Sequence, residues 1–310
     1  MCMHITVLIC THNRLDLLKK TVASLNSAIQ PENNVVDLLI VANACTDTTL
    51  NWLEQYANDN QKLPFRFLSE PTPGKSHALN KALGHLDCDV VAFIDDDQRV
   101  DTHFFEKIVS TATNNPSQSI FCGRLLPDWD GSEPHWVHEQ GEYKIYPPPI
   151  PVYDQGLLEI LIEPNTDQPP GGNLFIRLNV LKQNGEFSTA LGPQGHNFVG
   201  GEDSEFLQRA RNLGEQILYT PEIVQYHYVD HNRLKLWNLL QLAYQRSLCI
   251  TEMNKAPTSK PRVPLYMWRK LFQYLTKLIF AFSINKVRFY LVRIAATVGE
   301  IRAFQKTTRS

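Results

Sequence analysis

The sequence lacks any apolar run that approaches the roughly 20 residues an α-helix needs to cross a bilayer. It also lacks paired cysteines, because the six Cys are scattered, with no CxxC pair and no His spacing typical of a zinc site. No basic leader or cleavage site precedes the first apolar segment, residues 4–10. We therefore expect a protein made in the cytosol, held in a reducing compartment, that does not span a membrane.

Carboxylates are nearly absent from the end of the chain. Residues 231–310 hold 15 Lys and Arg against 2 Asp and Glu, whereas residues 1–230 hold 15 against 30. An acidic body joined to a basic tail indicates two parts with different partners. We predict one domain over residues 1–230, with halves of about 1–100 and 101–230, and a basic, amphipathic helical extension over 231–310.

Short apolar segments alternate with helical patterns in the first hundred residues. This alternation predicts an α/β fold with a mostly parallel, doubly wound sheet and flanking helices. The predicted strands of this part are residues 4–10, 35–41, 65–68 and 90–94. Beyond residue 100 we predict an irregular region over 127–170, a short last strand over 217–219, a linker over 255–264 and one or two helices over 265–304. Loops as long as 127–170 are usually functional.

The fourth predicted strand, residues 90–94, runs directly into Asp95, Asp96 and Asp97. Three adjacent like charges must stay solvated or share a cation. Ligands of open α/β sheets bind at the carboxyl ends of the strands. On an extended chain Asp95 and Asp97 point the same way and can act as a pair. An acidic turn after a buried strand is the alternative interpretation.

Six short motifs occur in order over about residues 4–230. They are Thr11-x-Asn13-Arg14, Asn43-x-x-Thr46-Asp47, Gly74-Lys75-Ser76-x-Ala78-Leu79-Asn80, Asp95-Asp96-Asp97, Gly171-Gly172-Asn173 and Gly201-Glu202-Asp203. Each is weak alone, but the ordered set resembles glycosyltransferase family 2, whose members have the GT-A fold. The resemblance implies an inverting, metal-dependent transferase. Such an enzyme moves a sugar from a nucleotide-diphosphate donor to a hydroxyl of a glycan or lipid-linked acceptor.

The resemblance also implies roles for the acidic residues. Asp203 would be the general base that takes the proton of the acceptor hydroxyl, with Glu202 binding the acceptor or holding its loop. Both acids would equally suit a helix N-terminus as caps. Asp97 would bind Mn²⁺ or Mg²⁺ directly, with Asp95 at the ribose or at a metal-bound water. His227 matches a histidine that completes the metal site in many relatives, although a lone histidine is as often structural.

For the nucleotide sugar, the resemblance implies ten candidate residues: Thr11, Asn13, Arg14, Asn43, Glu70, Lys75, Asp95, Asp96, Gly171 and Gly172. The sequence departs from the common pattern at Ala42, where many relatives have an Asp that contacts uracil. A second departure is Leu79, where Arg is common. A UDP-sugar is the favoured donor, but the base stays open.

Trp129 and Trp136 fall where the family builds its acceptor site, and core packing is the alternative for both. Residues 264–310 interleave basic and aromatic residues, which fits a helix on an anionic membrane surface, or a helical pair packed on the acidic domain. We expect no nucleic-acid partner. The expected role is in the synthesis of a cell-surface or extracellular polysaccharide. The enzyme is expected in the cytoplasm, peripheral at the inner face of the membrane. The rival hypotheses are an inactive sugar-nucleotide-binding or membrane scaffold and a nucleotidyltransferase.

Overall fold

The computed structural model describes residues 2–58, 62–164, 166–190, 201–254 and 263–305. Within it the chain divides into two compact units, which we call unit 1 (residues 1–128 and 151–228) and unit 2 (residues 129–150 and 229–310). Most of the predicted linker over 255–264 and the last five residues of the basic tail lie outside the described residues. The predicted division at residue 230 stays a prediction.

Unit 1 is built on one mixed sheet. Its strands are β1 His4–Thr11, β2 Val35–Asn43, β3 Phe65–Glu70, β4 Val90–Asp95, β5 Gln98–Val100, β6 Ile120–Asp128, β7 Ile160–Leu161, β8 Asn173–Arg177 and β9 Ile217–Tyr228. The order across the sheet is β3-β2-β1-β4-β8-β6-β9-β5, with β7 paired to β9. The first four strands are parallel, as predicted, whereas β8 runs antiparallel to both β4 and β6.

Helices cover both faces of this sheet. In unit 1 they are α1 Leu15–Ser27, α2 Thr49–Asn58, α3 Lys75–Leu83, α4 Phe104–Asn114, α5 Leu178–Asn184 and α6 Glu202–Asn212. Strand β1 shows the two-sided burial, since Ile5 and Val7 join one apolar cluster and Leu8 joins the other. Alternate side chains of a strand face opposite sides, so a strand buried on both faces reads as a continuous apolar run.

Helix α1 illustrates how the sequence places the elements. Its buried residues Leu18, Thr21, Val22 and Leu25 recur at helical spacing and lie on the face turned to the sheet. The helix begins after a turn in which Asn13 has a φ of 53°. A short polar side chain tolerates that left-handed conformation, so the chain reverses at the carboxyl end of β1 and brings polar residues there.

Three elements of unit 1 were not predicted: β5, β7 and α5. The prediction of a short last strand was wrong, because β9 continues from Ile217 to Tyr228 and pairs with β6 over most of that length. Pro221 interrupts the sequence pattern of β9. The register shifts between Cys122 and Arg124 on the partner strand, and such an irregularity accommodates a proline.

Unit 2 is helical in its second segment. Its helices are α7 Leu236–Asn254, α8 Leu265–Ile279 and α9 Ile284–Gln305. The first segment, 129–150, packs with them: the Trp136 ring lies under the Arg288 guanidinium, and Tyr143 contacts Phe289 edge-on. In the part of the chain that the structure describes, no helix combines the length and hydropathy of a membrane-spanning segment.

Candidate active site

The three consecutive aspartates are divided between two cations. Lys75 at the start of α3 donates to Asp95 across 2.8 Å. Arg14, just before α1, reaches Asp96 at 2.7 Å and Asp97 at 2.5 Å. Parallel strands end at one edge of the sheet, so the loops after β1 and β3 bring these cations to the end of β4. The acidic motif is therefore an ion-paired site and not a solvated turn.

The chain does not stay extended through the motif. Strand β4 ends at Asp95, Asp96 and Asp97 form a turn, and β5 begins at Gln98. The premise of an extended chain from Asp95 to Asp97 was therefore wrong, and the two carboxylates have different cation partners. Gln98, which the sequence analysis missed, is fully buried and accepts the Asp95 backbone N–H at 3.1 Å. A lone polar residue after an acidic run carries no signal of that role.

Asp96 is the most enclosed acid of the three, 3% exposed. It accepts a hydrogen bond from the Thr11 hydroxyl at 2.7 Å as well as from Arg14. Burial raises the pKa of Asp96 to about 7, although Arg14 opposes the shift. Asp96 contacts Arg14 directly, and Thr11 supports it through Asp96. Both residues therefore hold the guanidinium that also pairs with Asp97.

Asp203 lies beside the glycine pair. The backbone N–H of Gly171 donates to the Asp203 carboxylate at 3.0 Å. A methyl group on Gly171 would collide with that carboxylate, and one on Gly172 would collide with the Asp95 carboxylate. The two glycines therefore bring backbone between two acids from distant segments, where any side chain would fill the space.

Asp95, Asp203, Lys75 and the two glycines line one cleft, whose empty space of about 250 Å³ is counted out into open solvent. Its floor is apolar and includes Leu8 and Phe93. The acids of the Asp-Asp-Asp and Glu-Asp motifs thus meet in a shared cleft through Asp95 and Asp203. The roles that the resemblance implies for Asp97 and Asp203 require both acids at one reacting centre, but Asp97 is not among the residues that line the cleft.

The charged groups in the cleft shift one another's pKa values. Burial alone would lower the pKa of Lys75, but Asp95, Asp203 and Glu202 raise it well above its ordinary value. Lys75 in turn lowers the pKa of Asp95 against the effect of burial. Burial raises the pKa of Asp203, with Asp95 adding to the shift and Lys75 opposing it. A carboxylate with a raised pKa is a better proton acceptor, which is what a general base requires.

Glu202 begins α6 and is 2% exposed. Burial raises its pKa, and the neighbouring Asp203 adds to the shift. Its Oε2 atom has no hydrogen-bond partner in the described part of the chain. A buried carboxyl oxygen without a partner is costly, so Glu202 carries one unused hydrogen-bond acceptor. Neither acid makes a side-chain cap at α6.

His227 on β9 faces Asp97. Its Nδ1 lies 2.8 Å from the Tyr228 carbonyl oxygen, which can only accept, so Nδ1 carries the proton. Its Nε2 lies 3.3 Å from an Asp97 oxygen, on the carboxylate that also pairs with Arg14. Among the described residues no group of three or more His, Cys, Asp or Glu is arranged as a metal site, so Asp97 and His227 form a pair.

The other residues predicted to bind the nucleotide-sugar donor hold loops at the same edge of the sheet. The Asn13 side-chain oxygen accepts the backbone N–H of Thr46 at 2.7 Å. The Asn43 side chain accepts from the Gly74 N–H and donates to the Thr72 carbonyl, which fixes the loop that carries Lys75. Glu70 accepts the Thr72 N–H at 2.8 Å, and that bond lowers its pKa. Their contact with a nucleotide stays a prediction.

Trp129 and Trp136, the predicted acceptor residues, both belong to unit 2. Trp129 contacts His138 edge-on at 5.6 Å, and the Arg288 guanidinium lies 4.9 Å from the centre of the Trp136 ring. Each indole therefore has a partner within unit 2. Nothing in these contacts assigns an acceptor role, which stays a prediction.

Two curated relatives resemble the chain over most of its length. Glucosyl-dolichyl phosphate glucuronosyltransferase of Haloferax volcanii is 23% identical over 224 residues, which cover 71% of this chain and 67% of the relative. Succinoglycan biosynthesis protein ExoM of Rhizobium meliloti is 24% identical over 237 residues, which cover 76% and 70%. Both names point to glycolipid or polysaccharide synthesis in those organisms.

Solved structures share the fold. The mannosyltransferase PcManGT of Pyrobaculum calidifontis, in complex with GDP-Man and Mn²⁺, aligns with a TM-score of 0.59 and 16% identity over 98% of this chain and 86% of its own. S. aureus TarS aligns with a TM-score of 0.54 and 15% identity over 98% of this chain, which spans only 55% of TarS. At such low identity these similarities show the fold alone. The predicted GT-A fold is confirmed.

A family model supplies the assignment. The model described as Glycosyl transferase family 2 matches residues 6–183, which is more than half of the chain. That stretch contains most of β1, all of β2 to β4 and the glycine pair, so it carries the ion-paired aspartates and one wall of the cleft. The Glu202-Asp203 motif lies beyond residue 183, where the match ends, and the fold brings Asp203 to the cleft. The chain belongs to glycosyltransferase family 2, and it is a glycosyltransferase.

Proposed function

We propose that this glycosyltransferase is an inverting, metal-dependent enzyme that moves a sugar from a nucleoside-diphosphate donor to a hydroxyl of a glycan or lipid-linked acceptor. The observation that carries the proposal is the cleft in which Asp95 and Asp203 lie on either side of the Gly171–Gly172 backbone. An inverting transfer needs one base opposite the leaving group, and Asp203 is the cleft acid whose pKa is raised.

The chemistry follows from that arrangement. Asp203 takes the proton of the acceptor hydroxyl while the hydroxyl oxygen bonds to the anomeric carbon. The bond between that carbon and the diphosphate oxygen breaks, and its electron pair leaves with the nucleoside diphosphate. Attack opposite the leaving group inverts the anomeric centre. Lys75 contributes positive charge in the same cleft, where a departing diphosphate gains negative charge.

Asp97 and His227 fit a divalent cation. A carboxylate and an imidazole are common ligands of Mn²⁺, and a metal-bound histidine usually donates its other N–H to a carbonyl, as His227 does to Tyr228. When bound, the ion would supply positive charge to the diphosphate. Asp97→Ala and His227→Ala should each weaken Mn²⁺-dependent donor binding, measured as a thermal shift. The exposed Asp87 offers the control, Asp87→Ala, whose Mn²⁺ response should match the wild type.

The donor base is open to a direct screen. UDP-sugar is the favoured donor, and the structural neighbours include complexes with UDP, UDP-GlcNAc and GDP-Man. Thermal shifts of the full chain with UDP, GDP and other nucleoside diphosphates, each with Mn²⁺, identify the base as the ligand that raises the melting temperature most. The sugar is then found by testing its nucleotide derivatives.

Product analysis tests the proposal against its rivals. A glycosyltransferase releases nucleoside diphosphate, a nucleotidyltransferase releases pyrophosphate, and an inactive scaffold releases neither. NMR of the glycoside product reports the anomeric configuration. Retained configuration with release of nucleoside diphosphate would rule out the inverting mechanism while leaving the family assignment intact.

For the setting, we propose that unit 2 docks on an anionic membrane surface. Helix α8 carries five large apolar residues at helical spacing, all 43–85% exposed: Leu265, Trp268, Phe272, Leu275 and Ile279. The turn after it adds Phe280 and Phe282, 71% and 94% exposed. An exposed stripe of this kind, flanked by Arg269 and Lys277, suits the interface of a bilayer with anionic lipids. This location agrees with the lipid or polysaccharide acceptors of the proposed reaction.

Vesicle sedimentation tests that location. The wild type should sediment with vesicles that contain anionic lipid and much less with neutral ones. Phe272→Ser and Ile279→Ser together should abolish binding, and both side chains are exposed, so the fold should tolerate the change. Leu213→Ser removes an equally exposed apolar residue from unit 1 and should bind as the wild type does. Equal sedimentation of all three proteins contradicts docking through α8.

A further inference from the structure

Unit 2 contains a cavity that the proposed reaction does not use. It lies among α7, α8, α9 and residues 145–149, with about 600 Å³ of empty space counted out to its open mouth. Much of its wall is apolar, including Leu239, Leu242 and Val292.

Arg246 of α7 lines this cavity without a carboxylate partner. Its side chain is half-buried, and no hydrogen bond or ion pair of Arg246 occurs among the described residues. Burial lowers the pKa of the guanidinium, and the positive charge of Arg233 lowers it further. A guanidinium that is partly desolvated beside a second cation is in an environment that favours an anion.

Arg293 of α9 lines the same cavity from another helix. Its guanidinium lies over the Phe289 ring, 5.4 Å from the ring centre, and no carboxylate pairs with it in the described part of the chain. The other two charges of the wall neutralise each other, because Lys270 donates to both carboxylate oxygens of Glu300 at 2.9 and 2.8 Å. The cavity therefore presents two guanidinium groups whose charge is not compensated.

We propose that this cavity binds a phosphate monoester with an apolar chain, whose phosphate contacts Arg246 and Arg293 and whose chain lies on the apolar wall. Two guanidiniums match the charge of a phosphate monoester, roughly −1.5 to −2 at neutral pH, and the planar fork of arginine suits phosphate oxygens. A free phosphate would leave the apolar wall unused, and a neutral lipid would leave both arginines without an anion. The site does not depend on the proposed donor chemistry, because all of its residues belong to unit 2.

Calorimetric titration of the full chain tests the site with three probes: octyl phosphate below its micelle concentration, inorganic phosphate, and octyl glucoside. We expect octyl phosphate to bind at least tenfold more tightly than either of the others. Arg246→Gln and Arg293→Gln should each raise its dissociation constant about tenfold or more, since each removes a charge-assisted contact. Arg302→Gln removes an exposed charge of α9 outside the cavity and should change the constant less than twofold.

The other outcomes are equally decisive. Equal binding of octyl phosphate and inorganic phosphate, both weakened by Arg246→Gln, identifies a free-phosphate site and overturns the apolar-chain part of the proposal. Equal binding of octyl glucoside, or octyl phosphate binding that neither arginine variant weakens, overturns the proposal altogether. Circular dichroism and the melting temperature establish that each variant is folded. If Arg246→Gln does not fold, Arg293→Gln decides alone, because that side chain is exposed.

Discussion

The two units differ in the sign and in the arrangement of their charges. Unit 1 concentrates carboxylates at one edge of its sheet and pairs them with Arg14 and Lys75. Unit 2 ends in helices that carry many cations and almost no acids: residues 263–305 hold seven Lys and Arg against Glu300. Acids held close together serve a cation or a proton transfer, whereas spread cations serve an anionic surface or ligand.

The two units also differ in how many large apolar residues they expose. The central strands β1, β2 and β4 of unit 1 are buried on both faces, but 14 of the 22 large apolar residues that are exposed in the described part of the chain belong to unit 2. An apolar surface that stays open is a binding surface or a liability. From this difference we propose that unit 1 carries the chemistry and unit 2 the surface recognition, and the changes below test that proposal.

The largest expected effect is that of Asp203→Asn. The amide keeps the shape of the side chain but cannot take a proton, so we expect nucleoside-diphosphate release to fall by about 10²–10⁴-fold. Donor binding, followed by thermal shift with Mn²⁺, should stay near that of the wild type. Asp87→Asn makes the same chemical change at an exposed site and should keep full activity. Equal activity of Asp203→Asn and wild type would remove Asp203 as the base.

Gly171→Ala should be nearly as damaging. The added methyl would meet the Asp203 carboxylate, so either the loop or the base must move. A displacement of about 1 Å at a reacting group costs on the order of 100-fold in rate. Gly84→Ala is the matched control, because a methyl there meets no atom within 4 Å. Activity of Gly171→Ala at the wild-type rate would mean that the loop is not part of the reacting cleft.

Much of unit 1 was predictable because its signals are local. The apolar run of residues 90–94 and the acids after it lie next to each other in the sequence, and periodic patterns gave the alternation of strands and helices. Strand β5 escaped prediction since it has three residues, too few for any period. The predicted last strand ended at residue 219, two residues before Pro221, whereas β9 continues to Tyr228; a proline argues against a strand when its sheet partner is unknown.

The site itself was predictable in its residues but not in its pairings. Resemblance supplied Asp95, Asp97 and Asp203, yet the cations that divide the aspartates come from positions about 20 and 80 residues earlier. Such contacts are set by strand order, which no local pattern contains. The arginines of the unit 2 cavity had no signal at all, because an arginine in an amphipathic helix usually lies in solvent.

A smaller effect is expected when Lys75, the cation of the cleft, is substituted. Lys75 lowers the pKa of Asp203, so Lys75→Gln should raise that pKa further. A base acts only when ionised, so activity is lost as the pH falls through its pKa. The acid limb of the rate profile should therefore move to higher pH in Lys75→Gln and stay near its wild-type position in Lys75→Arg. The measurement is the pH dependence of nucleoside-diphosphate release at saturating donor. An unmoved limb in both variants would show that Lys75 does not act on the base.

The smallest expected effect concerns the packing of unit 2. A methyl on Gly299 of α9 would collide with the Tyr244 carbonyl of α7, so the two helices must separate. Overpacking of this kind costs about 1–3 kcal/mol, and Gly299→Ala should lower the free energy of unfolding by that amount, measured by urea denaturation followed through helical circular dichroism. Gly84→Ala should not lower it comparably. Because the reacting cleft lies wholly within unit 1, donor binding by Gly299→Ala should remain that of the wild type below the unfolding transition. A parallel loss of donor binding would show instead that the chemistry of unit 1 depends on the integrity of unit 2. That result would contradict the separate roles inferred for the two units from their charges.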